Sequence, residues 1–369
     1  MSGRGVAWLL GLAVALVAVA IWLSSQRHLE RDMTAGALVL PGLQQSLNSI
    51  TRVNLSKGDG THATLTRQEK GWSVAERGWP ADLGKIRKLL LDLGALNIVE
   101  EKTRVAANYP ALGVEDVSSP KATGTLVELV APAHTWAIII GKSSSGKSAY
   151  VRVAGAPQSL LAAPPVSVDA GPKDWLDRTL IDINVARVRE VEEKPAEGAA
   201  YSAAREKKDQ SSFTVSPLPK GRELTGPGVA EPIAGALNSL TLDDVRKAET
   251  PAGAPLSHAV FRTFDGLEVE LAGRKDGSHA LVAISARSSA KESADEAQKL
   301  QARCAGWEFE IPDYRYNTIF KPLEELLQKP PEPAKKAAAH APAGKSPAAK
   351  PPTGKSPAGT TASPTVPSK

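Results

Sequence analysis

Beyond residue 40 the chain reads as short alternating runs separated by turn residues. Apolar and polar positions alternate from Arg52 to Leu55 and from Ala63 to Leu65, with Gly58-Asp59-Gly60 between them. Period-two alternation puts one set of side chains on each face of a strand, and the glycines permit the reversal, so this stretch predicts a β-hairpin. A third run, Trp72 to Ala75, follows Gly71. The period then changes. After Pro80 the apolar positions are Leu83, Ile86, Leu90, Leu93 and Leu96. That spacing predicts an amphipathic helix opened by a proline, which forfeits no hydrogen bond in the first turn. Alternating runs resume at Thr125 to Val130, Trp136 to Ile140 and Ala149 to Val153.

The same order returns about 130 residues later. Val185-Ala186-Arg187-Val188 echoes Ile50-Thr51-Arg52-Val53, and Phe213-Thr214-Val215 stands where Trp72-Ser73-Val74 stood. A helix through Val229, Ile233, Leu237 and Leu240 follows, then a hairpin of Ala259 to Phe264 with Leu267 to Leu271, then a strand from Ala280 to Ile284. Between the copies, Lys173 to Leu180 predicts a short connecting helix. The body closes with a polar helix at Ser293 to Arg303, a strand at Trp307 to Ile311 and a helix at Thr318 to Leu327. Antiparallel strands with one covering helix per copy define an α+β layer architecture built as two tandem units. The expected organisation is an N-terminal segment over 1–30, a first unit over 40–183, a second over 184–328 and a tail over 329–369.

The N-terminal segment adds a membrane to this picture. Val6 to Leu23, "VAWLLGLAVALVAVAIWL", is an uncharged run of eighteen residues. As a helix it spans about 27 Å, near the thickness of a bilayer core. Trp8 and Trp22 sit at its ends, where indole rings favour the interface. A cleaved signal peptide would end near Ala18-Val19-Ala20, but the apolar run continues past that point, which favours an uncleaved single-pass anchor. In a bacterium the body would then lie in the periplasm, tethered to the inner membrane.

Charge alters the reading of the other end. The whole chain carries +5, but the tail from Lys329 to Lys369 holds seven lysines and one glutamate, or +6, leaving −1 on the rest. A nucleic-acid binder carries its basic patch on the folded body, so nucleic acid is not an expected partner. The tail itself is Pro, Ala, Lys, Ser and Thr, with "GKSPA" at Gly344 and again at Gly354. It has little apolar surface to bury and is expected to be disordered. It reads either as a periplasmic arm towards peptidoglycan or another acidic surface, or as a low-complexity end with no specific partner.

The candidate chemistry is sparse. Cys304 is the single cysteine, which excludes an intramolecular disulfide and any multi-cysteine metal site; alone, it reads as a small core hydrophobe. His28, His62, His134, His258, His279 and His340 are scattered, with no H-x-x-x-H pair, so no metal or other cofactor is expected. Ser144 with Lys147, and Ser288 with Lys291, make S-x-x-K patterns without the S-D-N and K-T-G companions. Asp243-Asp244 and Glu324-Glu325 read as solvated pairs. Trp72, Trp136 and Trp307 read as core anchors.

One stretch looks catalytic. Gly141 to Ser148, "GKSSSGKS", matches the phosphate-binding pattern G-x-x-x-x-G-K-[ST]. A phosphate loop must lead into a helix whose first N–H groups face the phosphates. Here Ala149 to Val153 alternates and then meets Gly155 and Pro157, which predicts a strand. Alignment of the two copies sets Gly141 against Gly273, where no G-K-[ST] follows. The expectation is therefore the polar turn of a β-hairpin, with its lysines and serines in water, and no catalytic residue.

These residues together resemble a bacterial family known as domain of unknown function 4340. The resemblance rests on "ITRVNLSKGDG", the "GW" strand before "WPADLGKIRKLLLDLGALNIVEEKT", "IIIGKSSSGKSAYVRV", "KDWLDRTLIDIN" and "WEFEIPDYRYNTIFKPLEELL". It implies a membrane-tethered envelope protein associated with gliding-type ABC transporter components, with no catalytic residues to carry over. The expected function is thus a non-enzymatic accessory or scaffold subunit of an envelope ABC transport complex. The alternatives are a peptidoglycan- or glycan-binding module and, through Gly141 to Ser148, an NTPase.

Overall fold

The computed structural model describes residues 35–248 and 256–329. The expected membrane span at 6–23 and the tail from 330 onward lie outside the described residues. Among those described, no helix is long and apolar enough to cross a membrane.

The fold is mostly antiparallel sheet with few helices. The first sheet contains β1 (Arg52–Lys57), β2 (His62–Gln68), β3 (Gly71–Val74), β4 (Trp79–Pro80), β5 (Asn97–Glu101), β6 (Thr125–Val130), β7 (Thr135–Ser144), β8 (Ser148–Val153) and β9 (Ser159–Ala163). Its order is β4-β3-β2-β1-β6-β7-β8-β9-β5. A short β10 (Thr179–Ile181) leads to β11 (Val188–Lys194), β12 (Tyr201–Ala204) and β13 (Thr214–Ser216). Then come β14 (Leu240–Thr241), β15 (Asp244–Lys247), β16 (Ser257–Thr263), β17 (Leu267–Asp276), β18 (His279–Ser288) and β19 (Trp307–Glu310). The second sheet runs β13-β12-β11-β16-β17-β18-β19-β15. Adding ten to each label of the first sheet, β4 aside, yields the second.

The register shows which residues correspond. Val53 lies between Leu65 and Leu129 as Val191 lies between Ala203 and Phe261. Val188 therefore corresponds to Ile50, three residues from the echo expected with Val53. Trp72 and Phe213 do correspond, since Val74 pairs with Leu65 as Val215 pairs with Ala203.

Helices cover the inner faces unequally. The first turn of helix, α1 (Leu43–Ser46), packs beside α2 (Leu83–Gly94). Asp82 caps α2, its Oδ1 accepting from the Lys85 N–H at 3.0 Å, while Pro80 belongs to β4. Ile86, Leu89, Leu90 and Leu93 of α2 are buried in the core. A one-turn α3 (Tyr109–Leu112) lies in the long β5–β6 connection. The helix expected through Val229 to Leu240 shrinks to α4 (Glu231–Ala234), and Leu240 opens β14. Pro232 and Gly235 crowd that single turn, whereas α2 holds no proline, and its only glycine before Gly94 is Gly84 in the first turn. The polar helix is α5 (Ala294–Cys304).

The expected terminal helix divides into α6 (Asp313–Ile319) and α7 (Leu323–Leu326). Pro322 falls between them, where its ring and missing N–H stop a continuous helix. The connecting helix at Lys173 to Leu180 is also reduced, to a 3-10 turn at Pro172–Trp175 followed by extended Leu176. These two segments are equivalents. The Asp82 N–H donates to the Trp175 carbonyl and the Asp177 N–H to that of Pro80, at 2.8 and 2.9 Å. Likewise Thr225 donates to Leu326 and Gln328 to Glu223, both at 2.8 Å.

One apolar core runs through both sheets. Trp79 joins them. It is 1% exposed, its Nε1 donates to the Asp177 carbonyl at 3.0 Å, and its ring meets Trp307 and Phe309 edge-on at 5.5 and 5.1 Å.

Candidate functional site

Gly141 to Ser148 is a hairpin end. Ser144 pairs with Ser148, and Ser145-Gly146-Lys147 make the turn, with positive φ of 53° at Ser145 and 67° at Gly146. β8 follows directly, so no helix N-terminus converges on a phosphate position. Lys147 is exposed. Two residues of the motif have other tasks. A Cβ on Gly141 would collide with the Leu112 carbonyl, and Lys142 Nζ donates to the carbonyls of Pro110 and Ala111 at 3.2 and 3.1 Å. Both therefore hold the α3 segment against the outer face of the first sheet. Gly58 and Gly124 leave the same clearance, for the Ser119 and Gly113 carbonyls.

That strap closes over the outer face of β8. Arg152, within the expected strand, is 3% exposed. Its guanidinium donates to the Val114 and Ala156 carbonyls and to Asp116, and lies 4.7 Å from the Tyr109 ring centre. The expected match of Gly141 with Gly273 does not hold. Val127 pairs with Ile138 as Ala259 pairs with Leu271, so Gly273 corresponds to Ile140 and faces the core, where Phe320 covers it.

The remaining candidates are dispersed. His62 contacts the Gly60 carbonyl at 3.1 Å, His134 meets Trp136 edge-on, and His258 pairs with Glu270 at 3.1 Å. His28 and His340 lie outside the described residues. Ser288 Oγ bonds Ser293 Oγ at 2.7 Å rather than Lys291. Cys304 is buried, and desolvation raises its thiol pKa to about 11, so it is protonated at neutral pH. Among the described residues no group of His, Cys, Asp and Glu is arranged to hold a metal.

Sequence reasoning missed the recess where the sheets meet. Glu76 and Arg77 from the β3–β4 turn face Asp244, Arg246 and Lys247 of β15, with His279 and Glu310 behind, around about 410 Å³. Arg77 grips Asp244 with two hydrogen bonds, 2.6 and 2.8 Å. Burial pulls the Asp244 carboxyl up, but the Arg77 hydrogen bonds, the Val245 N–H and the charges of Arg77 and Lys173 together outweigh it and hold its pKa below the usual value. His279 meets Glu310 at 2.9 Å, and Arg246 and Arg274 share Glu308. Lys247 Nζ lies 3.5 Å from the Trp307 ring centre, a cation–π contact. The walls are thus opposed charges held on strands and on the tight β3–β4 turn. The strand hosting Asp244 was not expected, because "DVRK" offers a single apolar position.

A second recess is apolar. Leu47, Trp72, Leu83, Ile86, Leu90 and Leu91 line most of about 400 Å³ between α1 and α2, with Gln44, Asn48, Arg67 and Arg87 at its rim.

Fold and surfaces together define a repeated antiparallel α+β body with a charged junction and one apolar groove. A family model, Domain of unknown function (DUF4340), matches residues 72–258, just over half of the chain, and the chain belongs to that family. No curated protein and no solved structure matches it.

Proposed function

We propose that this protein is a non-enzymatic, membrane-anchored accessory or scaffold subunit of an envelope ABC transport complex. The uncharged run at 6–23 supplies the single-pass inner-membrane anchor, and the two-unit body stands in the periplasm. The association with gliding-type transporter components comes from the family resemblance. The observation that carries the scaffold reading is the junction recess. Its charges come from both sheets and are engaged with one another at Arg77–Asp244 and His279–Glu310. Paired charges of both signs on a rigid sheet framework suit recognition of a polar polypeptide surface, where complementarity sets specificity. Lys247 is exposed where Arg77 and Arg246 are half-buried, which makes it the most accessible of these three to a partner.

The test is affinity capture of the full chain from membranes in mild detergent. Transporter subunits should accompany the wild type and be depleted at least several-fold with Lys247→Glu. Recovery of the chain without any transporter subunit would count against the proposal.

A further inference from the structure

The groove between α1 and α2 has a feature that ordinary packing does not explain. Helix α2 buries Ile86, Leu89, Leu90 and Leu93, yet Leu83 and Leu91 remain 45% and 54% exposed. At 100° per residue these two flank Arg87 on the edge of the helix that turns away from the sheet. Lys85, Arg87 and Lys88 are exposed on the same helix. Its one acid, Asp92, is paired with Lys88 at 2.5 Å. The exposed side of α2 is therefore apolar and cationic. The second unit provides a control: its counterpart α4 is a single turn and carries no such face.

What lies opposite this face follows from where the chain comes from. Gln44, Leu47 and Asn48 form the other wall of the groove. Residues 24–34, eleven in all, separate the apolar run from the first described residue. Fully extended they reach at most about 40 Å. A body held that close to a bilayer carries its groove within reach of the lipid surface. Exposed leucines beside cations are the composition of helices that lie in an anionic membrane interface.

We infer that the α2 edge rests on the membrane surface, with Leu83 and Leu91 seated at the headgroup boundary and Arg87 between them on anionic lipid phosphates. This rests on the membrane-tether reading above. It goes beyond that reading by fixing which face of the body meets the bilayer.

The buried Cys304 makes a direct test practical, since an introduced surface cysteine can be labelled selectively. The full chain carrying Leu91→Cys, Leu83→Cys or, as a remote control, Lys299→Cys is labelled with an environment-sensitive fluorophore. It is then reconstituted into vesicles of phosphatidylglycerol and phosphatidylcholine containing nitroxide-bearing lipid. Labels at 91 and 83 should be quenched at least two-fold more than at 299, and the difference should shrink in phosphatidylcholine alone. A floating chain with equal quenching at all three positions overturns the contact and leaves the tether standing. Labels at 83 and 91 that are shielded but unquenched also overturn it, because a protein surface then covers the groove. A chain that fails to float with the vesicles removes the tether, and this contact with it.

Discussion

Glu193 occupies in the second sheet the position that Leu55 occupies in the first. Leu55 pairs with Ala63 and Val127; Glu193 pairs with Tyr201 and Ala259. Both side chains are closed off from solvent, and neither Glu193 carboxyl oxygen has a hydrogen-bond partner among the described residues. An unpartnered carboxylate in a core is costly, so the group keeps its proton. Desolvation pushes its pKa to about 9. Burial, with Glu193 and then Glu325 adding to it, also raises the Tyr201 phenol.

The consequence is a pH-dependent stability. A folded pKa above the unfolded one means the native state binds the extra proton. Stability from this group is complete below the unfolded value and lost as pH rises towards 9. At pH 7 the penalty relative to an apolar residue is on the order of 3 kcal/mol. Glu193→Leu, which installs the first unit's residue, should therefore stabilise the protein in urea unfolding at pH 7. The gain should shrink towards pH 4 and grow towards pH 9. A gain independent of pH would show that Glu193 is not the titrating group.

A second repeated device is an arginine that locks the turn before the first strand of each sheet. Arg67 donates to the carbonyls of Asn48 and Ile50. Arg205, its counterpart, donates to Val185, Val188 and Gln210 and stacks 4.8 Å from the Phe213 ring centre. Arg205 is the more buried, at 8%. Removing it strands three carbonyls in a desolvated site, so Arg205→Ala should cost about 3 kcal/mol and Arg67→Ala about 1 kcal/mol. Denaturant midpoints of the two variants decide it; equal losses would refute the burial argument.

Much of this was legible in the sequence, and the omissions have physical causes. The strongly alternating hairpins β1–β2 and β16–β17 stand where the pattern places them, because neighbouring residues determine them. The strands β5, β9, β12 and β15 were missed. Asn97–Glu101 and Asp244–Lys247 carry little alternation and form through partners distant in the chain, Ser159–Ala163 and Trp307–Glu310. Helix lengths erred where prolines at 232 and 322 cut an apolar rhythm that otherwise continued. Glu193 did leave a signal: in "VREVEEK" it lies two positions from Val191, on the inward face. The junction recess left none, since Arg77 and Asp244 are far apart in sequence and only the assembled sheets bring them together.

The Arg77–Asp244 pair tests that junction. The Asp244 side chain is 24% exposed, so the bond is partly shielded from water. Its lowered pKa means stability present above the ordinary carboxylate range and lost as pH falls through the folded value. A double-mutant cycle with Arg77→Ala and Asp244→Ala should return a coupling of about 1–2 kcal/mol at pH 7. The coupling should decline below pH 4. No coupling at pH 7 would mean that the pair contributes nothing to joining the sheets.

The phosphate-loop pattern makes the last prediction unusual in its direction. In a nucleotide site Lys147 would be a sensitive residue, because it reaches the outer phosphates. Here Lys147 is exposed on a turn, and Gly141 lies beneath the Leu112 and Gly113 carbonyls with Val114 beside it. A methyl group at 141 has to displace backbone of the α3 segment, and with it the carbonyls that Lys142 and Arg152 hold. Overpacking of that kind costs about 1–3 kcal/mol. Gly141→Ala should therefore lower the unfolding midpoint and expose the strap to limited proteolysis near Tyr109. Lys147→Ala should leave both unchanged, and titration with Mg-ATP should shift the midpoint of neither the wild type nor this variant. A Mg-ATP shift that disappears with Lys147→Ala would restore the phosphate site.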